Sequence, residues 1–288
     1  MTTSLANASK LYDAHNHLQD DRLRPYLAGI MEAAGNEGIA KMVVNGSCED
    51  DWSEVLSLTK EYPQVVIPSF GYHPWYVKKR SAQWQRNLVN FLDAVPSAIG
   101  EIGLDRWIKD HDTPQQEETF IWQWRLATER NLPVSIHCLQ AWGRLLEILQ
   151  SEPGPKCGFV LHSFGGPREM VPKLAELGAY FSLPGYYAHE RKERQREAFR
   201  HVPRDRLLIE TDAPDQNLPA ESIGYPLLDE KSGKAINHPG NLRAVYGFAG
   251  ELLGATPEVL TRVVEENFWR VFESLRGSPD GRTASASP

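Results

Sequence analysis

Two histidines separated by one residue, in the run Asp13-Ala14-His15-Asn16-His17, close the first apolar segment of the chain, Leu11 to Leu18. In an extended strand alternate side chains leave the same face, so His15 and His17 converge and can chelate one cation. The chemistry this suggests is metal-assisted hydrolysis. Taken alone, the pair is equally compatible with two polar residues at a strand end. Further imidazoles and carboxylates recur at the ends of later apolar runs: His73, Glu101 with Asp105, His137, His162, and Glu210 with Asp212. Five of the nine histidines fall at such places, the others being His111, His189, His201 and His238. Any one of them read singly is a hydrogen-bonded structural histidine, but convergence on one rim makes them a ligand set. Imidazole and carboxylate without thiolate suit Zn²⁺, Mn²⁺ or Fe²⁺, with Mg²⁺ where carboxylates and water dominate. The set exceeds the needs of one ion. Two divalent ions ~3.5–4 Å apart, sharing a carboxylate and a water, would use it and clamp both the attacking and the leaving oxygen. Glu101 is the expected bridge, because its strand faces both groups of histidines across a barrel.

The elements that must position these residues are legible as short β-branched runs: Leu11 to Leu18, Lys41 to Ser47, Val65 to Tyr72, Ala98 to Asp105, Pro133 to Leu139, Gly158 to Phe164, Ala179 to Leu183 and Leu207 to Asp212. Between them lie segments of helical periodicity, such as Gln115 to Asn131 and Pro167 to Gly178, with Gly or Pro at their ends. Strand and helix alternate, and runs apolar on both faces favour a parallel sheet. Eight such units in about 250 residues match a single-domain (β/α)8 TIM barrel, whose active site lies at the C-terminal ends of the strands. A doubly wound open sheet is the alternative, but no Gly-rich phosphate fingerprint follows the first strand. The barrel is expected over residues 11–275, after a flexible N-terminus at 1–10 and before a Gly-, Ser- and Pro-rich disordered tail at 276–288. Pro214 to Pro239 reads as a long loop over the barrel mouth. Two closing helices follow, Asn241 to Leu253 and Pro257 to Leu275, the second capped by Thr256 with proline in its first turn.

Composition narrows the classes. The 288 residues are 41% hydrophobic and 24% charged, which suits one large globular domain or two ordinary ones. A net charge of −7 gives little long-range steering toward DNA, so any nucleic-acid contact must be local. Cys48, Cys138 and Cys157 form no zinc ligand set, and an odd number without close pairing indicates reduced thiols and a cytoplasmic setting. No run approaches the ~20 apolar residues of a membrane span.

The ordered series Asp13-Ala14-His15-Asn16-His17, Gly71-Tyr72-His73-Pro74, Gly100-Glu101-Ile102-Gly103-Leu104-Asp105, Pro133-Val134-Ser135-Ile136-His137, His162-Ser163-Phe164-Gly165-Gly166 and Glu210-Thr211-Asp212-Ala213-Pro214 resembles the TatD family of metal-dependent hydrolases, over about Leu11 to Phe272. The resemblance implies an amidohydrolase-like barrel with two metals and, in many members, a DNase activity of 3'-5' exonuclease character on single-stranded ends. Carried over by position, His15, His17, Glu101 and Asp212 would hold one metal, and Glu101, His137 and His162 the other. Asp212 would orient a metal-activated water and accept its proton, while His73 would donate to a substrate oxygen or the leaving group. His73 is alternatively a structural brace for the Pro74 loop. Asp13 and Glu210 would orient ligands without binding metal.

One departure bears on substrate: many members carry an arginine two residues after the strand-five histidine, where this chain has Leu139. Cys138, adjacent to an inward-facing histidine, is expected to face away as a core residue. Trp75, Trp107 and Trp142 follow predicted strand ends, with Phe164, Tyr186 and Tyr187 in similar loops; they are read either as stacking surfaces for substrate or as loop packing. Trp122 and Trp124 lie within a predicted helix and are packing residues. The run Arg191-Lys192-Glu193-Arg194-Gln195-Arg196 reads as a solvated helix face rather than a phosphate track. The expected substrate is a DNA end; the alternative is a small-molecule amide, lactone or ester at the same two-metal site. A barrel that only binds metal or nucleic acid would leave the ligand set without a purpose.

Overall fold

The computed structural model describes residues 10–276. The apolar runs become eight parallel strands: β1 (Leu11–Asn16), β2 (Ile39–Asn45), β3 (Val66–Phe70), β4 (Ala98–Asp105), β5 (Val134–Leu139), β6 (Phe159–Leu161), β7 (Ala179–Pro184) and β8 (Leu207–Glu210). Each pairs with the next in chain order. The Asp212 amide donates to the His15 carbonyl at 3.0 Å and the His17 amide to the Ala213 carbonyl at 2.8 Å, bringing the first and last strands together. That sequential, nearly closed order is the TIM barrel and excludes the doubly wound alternative. The same two links place His15, His17 and Asp212 on adjoining backbones, so the element that closes the barrel also assembles chemistry.

Between the strands run α1 (Leu27–Glu37), α2 (Trp52–Glu61), α3 (Trp84–Ala94), α4 (Thr113–Arg130), α5 (Trp142–Ser151), α6 (Val171–Glu176) and α7 (Glu193–Arg200), with α8 (Leu242–Leu253) and α9 (Pro257–Phe272) after β8. The sequence explains their limits. Asp112 caps α4 by accepting from the Gln115 amide, and Asn131 ends it in the left-handed conformation. Thr256 caps α9 as expected. Phe268, Val271 and Phe272 of α9 pack with Tyr12, Val43, Ile67, Ala98, Val160, Tyr180 and Leu208 from seven of the strands, forming a second apolar core. Trp124 is fully buried, and the Trp122 ring meets Trp84 edge-on at 4.9 Å, so both are packing residues.

Some boundaries differ from the expectation. The first, sixth and eighth strands stop short of His17, His162 and Asp212. Ser163 and Asp212 have φ of 43° and 53°, a left-handed backbone that cannot extend a β ladder, and Asp tolerates it better than most residues. The predicted helix from Pro167 is a 3-10 turn, Arg168–Met170, leading into the short α6. The loop from Pro214 contains an antiparallel hairpin, β9 (Leu227–Leu228) with β10 (Ala235–Ile236). The expected loose ends fall almost wholly outside the described residues. No helix among the described residues is long and apolar enough to cross a membrane.

β4 and β5 approach closely beside Glu101. Gly103 has φ of 155°, and a Cβ there would lie 1.9 Å from the His137 carbonyl oxygen. Gly103→Ala is therefore expected to lower stability by about 2–3 kcal/mol through overpacking against backbone that cannot yield. Urea unfolding followed by circular dichroism reads this directly.

Candidate metal centre

Glu101, on β4, is 2% exposed, and its two oxygens face different partners. Oε2 lies 3.4 Å from His15 Nε2 and 3.2 Å from His17 Nε2. Those two nitrogens are 3.3 Å apart and lie 3.6 and 3.7 Å from Asp212 Oδ1. Oε1 lies 3.0 Å from His137 Nδ1, 2.9 Å from His162 Nε2 and 3.5 Å from His73 Nε2. His137 Nδ1 and His162 Nε2 are themselves 3.3 Å apart. For metal–ligand bonds of ~2.0–2.2 Å, tetrahedral edges are about 3.3–3.6 Å. The five contacts within the first group, 3.2–3.7 Å, are close to such edges, and the three of the second group, 2.9–3.3 Å, are somewhat tighter.

Hydrogen bonds on the far side of each ring decide which nitrogen offers a lone pair. His17 Nδ1 lies 2.8 Å from the Asn45 carbonyl oxygen, which can only accept, so Nδ1 carries the proton and Nε2 is free to ligate. His137 Nε2 lies 2.8 Å from Asp105 Oδ2, leaving Nδ1 free. His15 Nδ1 meets the Ser135 hydroxyl at 2.7 Å. His73 has the opposite polarity: its Nδ1 accepts from the Trp75 amide at 3.2 Å, so Nε2 carries the proton and points it at Glu101. His73, Glu101 and His137 also lie close enough to share an ion, but this tautomer makes His73 a donor rather than a ligand.

The electrostatics call for positive charge between these atoms. Burial alone would raise the Glu101 carboxyl, but His162, His73 and His15 outweigh it and hold it well below the usual range. Burial opposes charge on His17, yet its contacts with Glu101 and Asp212 push it up to about 9. Burial pushes His15 down to about 4, the neutral form that ligates. A cluster in which the ionised Glu101 is balanced by His17, His137 and His162, all raised against burial by their carboxylate contacts, with burial raising Asp212 to about 7, fits a divalent cation, which supplies the charge that protons would otherwise bring.

The remaining expectations divide. Glu210 Oε1 accepts from the Ser163 amide and hydroxyl and lies 3.6 Å from His162 Nδ1, so it faces that ring. Asp13 touches no imidazole: it accepts from the Thr211 amide and hydroxyl, from Asn16 and from the His15 amide. It holds backbone at the β1–β8 junction instead of orienting a ring. The Trp75 and Trp107 side chains are 43% and 62% exposed at the mouth. Trp142 instead opens α5 with its ring edge-on to Phe164 at 4.8 Å, in accord with packing. Cys138 is buried, as expected. Arg196 donates to the carbonyls of Tyr187, His189 and Glu190, a structural role on the loop entering α7.

Three contributors had no sequence signal of their own. The Asn45 carbonyl orients His17 from the neighbouring β2, Ser135 reaches His15 across the barrel from β5, and Gln216 donates to Asp212 Oδ2 at 2.5 Å. Asp105, which the sequence places at a strand end, accepts from the Trp107 and Ile108 amides and from Trp75 Nε1 while holding His137. Asp105→Asn is expected to weaken metal affinity or turnover about 10–100-fold, the usual cost of losing a carboxylate behind a ligating histidine. Metal titration of the chelator-stripped variant checks this.

The sequence profile described as TatD related DNase matches residues 12–273. An Escherichia coli protein named uncharacterized metal-dependent hydrolase YcfH is 37% identical over 175 residues, covering 61% of this chain and 62% of that relative. This chain therefore spans about three fifths of that relative's length. A Citrobacter koseri protein named 3'-5' ssDNA/RNA exonuclease TatD is 31% identical over 242 residues, covering 82% of this chain and 88% of the relative. Among solved structures, the TatD homologue YJJV from Escherichia coli superposes with a TM-score of 0.82 at 25% identity, covering 91% of this chain and 98% of the other.

Proposed function

The chain belongs to the TatD related DNase family of metal-dependent hydrolases, and from that premise we propose that it removes nucleotides from single-stranded nucleic-acid ends by hydrolysis at a two-metal site. The observation that carries this reading is the division of Glu101 between two donor groups, one oxygen toward His15, His17 and Asp212 and the other toward His137 and His162. The residues that would hold the ions are those six. When bound, two divalent cations supply an acidified water and neutralise charge on a phosphodiester.

Within that setting the side chains have separate tasks. Asp212, its Oδ2 pinned by Gln216, turns Oδ1 toward the first group and is placed to accept the proton of the attacking water. His73 carries a proton on Nε2 beside Glu101 and is placed to give a hydrogen bond to a non-bridging oxygen or the leaving group. The relative named as an exonuclease supports a 3'-5' direction.

The test is digestion of single-stranded DNA and RNA labelled at either end, with Mg²⁺, Mn²⁺ or Zn²⁺ added to chelator-stripped protein. The expected result is a ladder shortening from the 3' end that requires metal. Intact oligonucleotides together with metal-dependent turnover of a lactone, ester or amide would overturn the nucleic-acid reading.

A further inference from the structure

Large apolar side chains are mostly covered in this fold; among the described residues, Trp75, Trp107 and Leu139 are three of the five that are exposed. All three are tied to Asp105, Trp75 through its side chain and Trp107 and Leu139 through their main chains. Trp75 Nε1 donates to Oδ2 at 2.7 Å and the Trp107 amide to Oδ1 at 2.7 Å. Leu139 is the β5 partner of Asp105, and its carbonyl accepts from the Arg106 amide at 2.9 Å. Trp75 borders the reactive groups: its ring centre is 5.2 Å from that of His73 and 6.2 Å from that of His137. Asp105, at the centre of this apolar shelf, has its carboxylate taken up by Trp75, His137 and two amides, so it offers no strong anionic contact to a ligand.

The loops that present the shelf also gather positive charge in an acidic chain. The β3–α3 loop carries Lys78, Lys79 and Arg80 after Trp75, and the β4–α4 loop carries Arg106 and Lys109 around Trp107, against Asp110 and Asp112. The loops adjoin, since Lys78 Nζ donates to the Asp110 carbonyl at 2.6 Å. Lys78 is engaged by that carbonyl, Arg80 by Thr119 and Gln115, Arg106 lies 4.0 Å from Glu117, and Lys79 Nζ sits 5.4 Å from the Tyr76 ring centre. Aromatic faces interleaved with cations take a planar base on the ring and its phosphates on the charged groups.

We infer that Trp75, Trp107 and Leu139 form a nucleobase platform at the edge of the metal centre, which holds the terminal bases of a single strand by stacking. The inference rests on the nucleic-acid reading above and adds to it how the substrate is gripped. The grip on the terminal nucleotide is thus made through its base as well as its phosphate. A duplex end, whose bases are already stacked, would have to fray before engaging.

The experiment compares two single-stranded oligodeoxynucleotides, one natural and one with abasic residues in place of the last two 3' nucleotides, on wild type, Trp107→Ala and Trp107→Phe. Trp107 is exposed, so its replacement does not threaten the fold. Wild type is expected to favour the natural end by about tenfold in kcat/KM, through KM. Trp107→Ala loses that preference and Trp107→Phe keeps most of it. Cleavage with equal preference in wild type and Trp107→Ala overturns the platform while leaving the nuclease reading in place. Failure of metal-loaded wild type to cleave either oligonucleotide overturns both.

Discussion

Glu101→Gln is expected to lower kcat by more than about 10³-fold, the scale at which a single preorganised electrostatic element fails, and to reduce bound metal at both groups of donors. The reason is geometric. One carboxylate supplies an oxygen to His15 and His17 on one side and to His137 and His162 on the other. A glutamine keeps the size but offers one acceptor and one NH₂, so one of the two groups receives hydrogens where a lone pair is needed. The four imidazoles also lose the negative charge that balances a buried cation. Elemental analysis beside steady-state turnover reads both effects. Near-normal activity with full metal content would show that the shared carboxylate is not the bridge.

Asp212→Asn is expected to lower kcat by about 10²–10⁴-fold, the range for removal of a general base, with a much smaller change in KM. Asp212 sits just beyond β8 with φ of 53°, a conformation that asparagine also tolerates, so the backbone should persist. Gln216 donates to Oδ2, and this selects the rotamer of the variant: the asparagine carbonyl takes the Oδ2 place and its NH₂ faces His15 and His17. The group beside the attacking water then cannot accept a proton. Single-turnover kinetics under saturating metal separate the chemical step from metal loss. A variant that turns over at the wild-type rate would show that Asp212 is not the base.

Much of this arrangement was legible because a barrel strand has a period of two and delivers its last inward residues to one rim. His73, Glu101, His137 and His162 each lie in or just beyond an apolar run, and the alternation alone assigns them to the same end. The spacing of His15 and His17 made their convergence visible before any fold was known. What local pattern cannot carry is contact between strands. Ser135 and the Asn45 carbonyl act on histidines from β1, and nothing near either residue announces it. Asp13 illustrates the reverse: its place beside His15 suggested a ring partner, whereas the closing of β1 against β8 engages it with Thr211. Trp142 looked like a loop residue because a helix start after a strand has the same residue chemistry as a loop. The left-handed residues Ser163 and Asp212 shortened two strands, since backbone dihedral preference at Ser and Asp is weak in sequence.

The most direct test of the proposed two-metal centre is an anomalous difference map from crystals soaked in Mn²⁺. The expected result is two peaks about 3.5–4 Å apart on either side of the Glu101 carboxylate, one beside His15, His17 and Asp212 and the other beside His137 and His162. A single peak, or manganese bound away from Glu101, would contradict it.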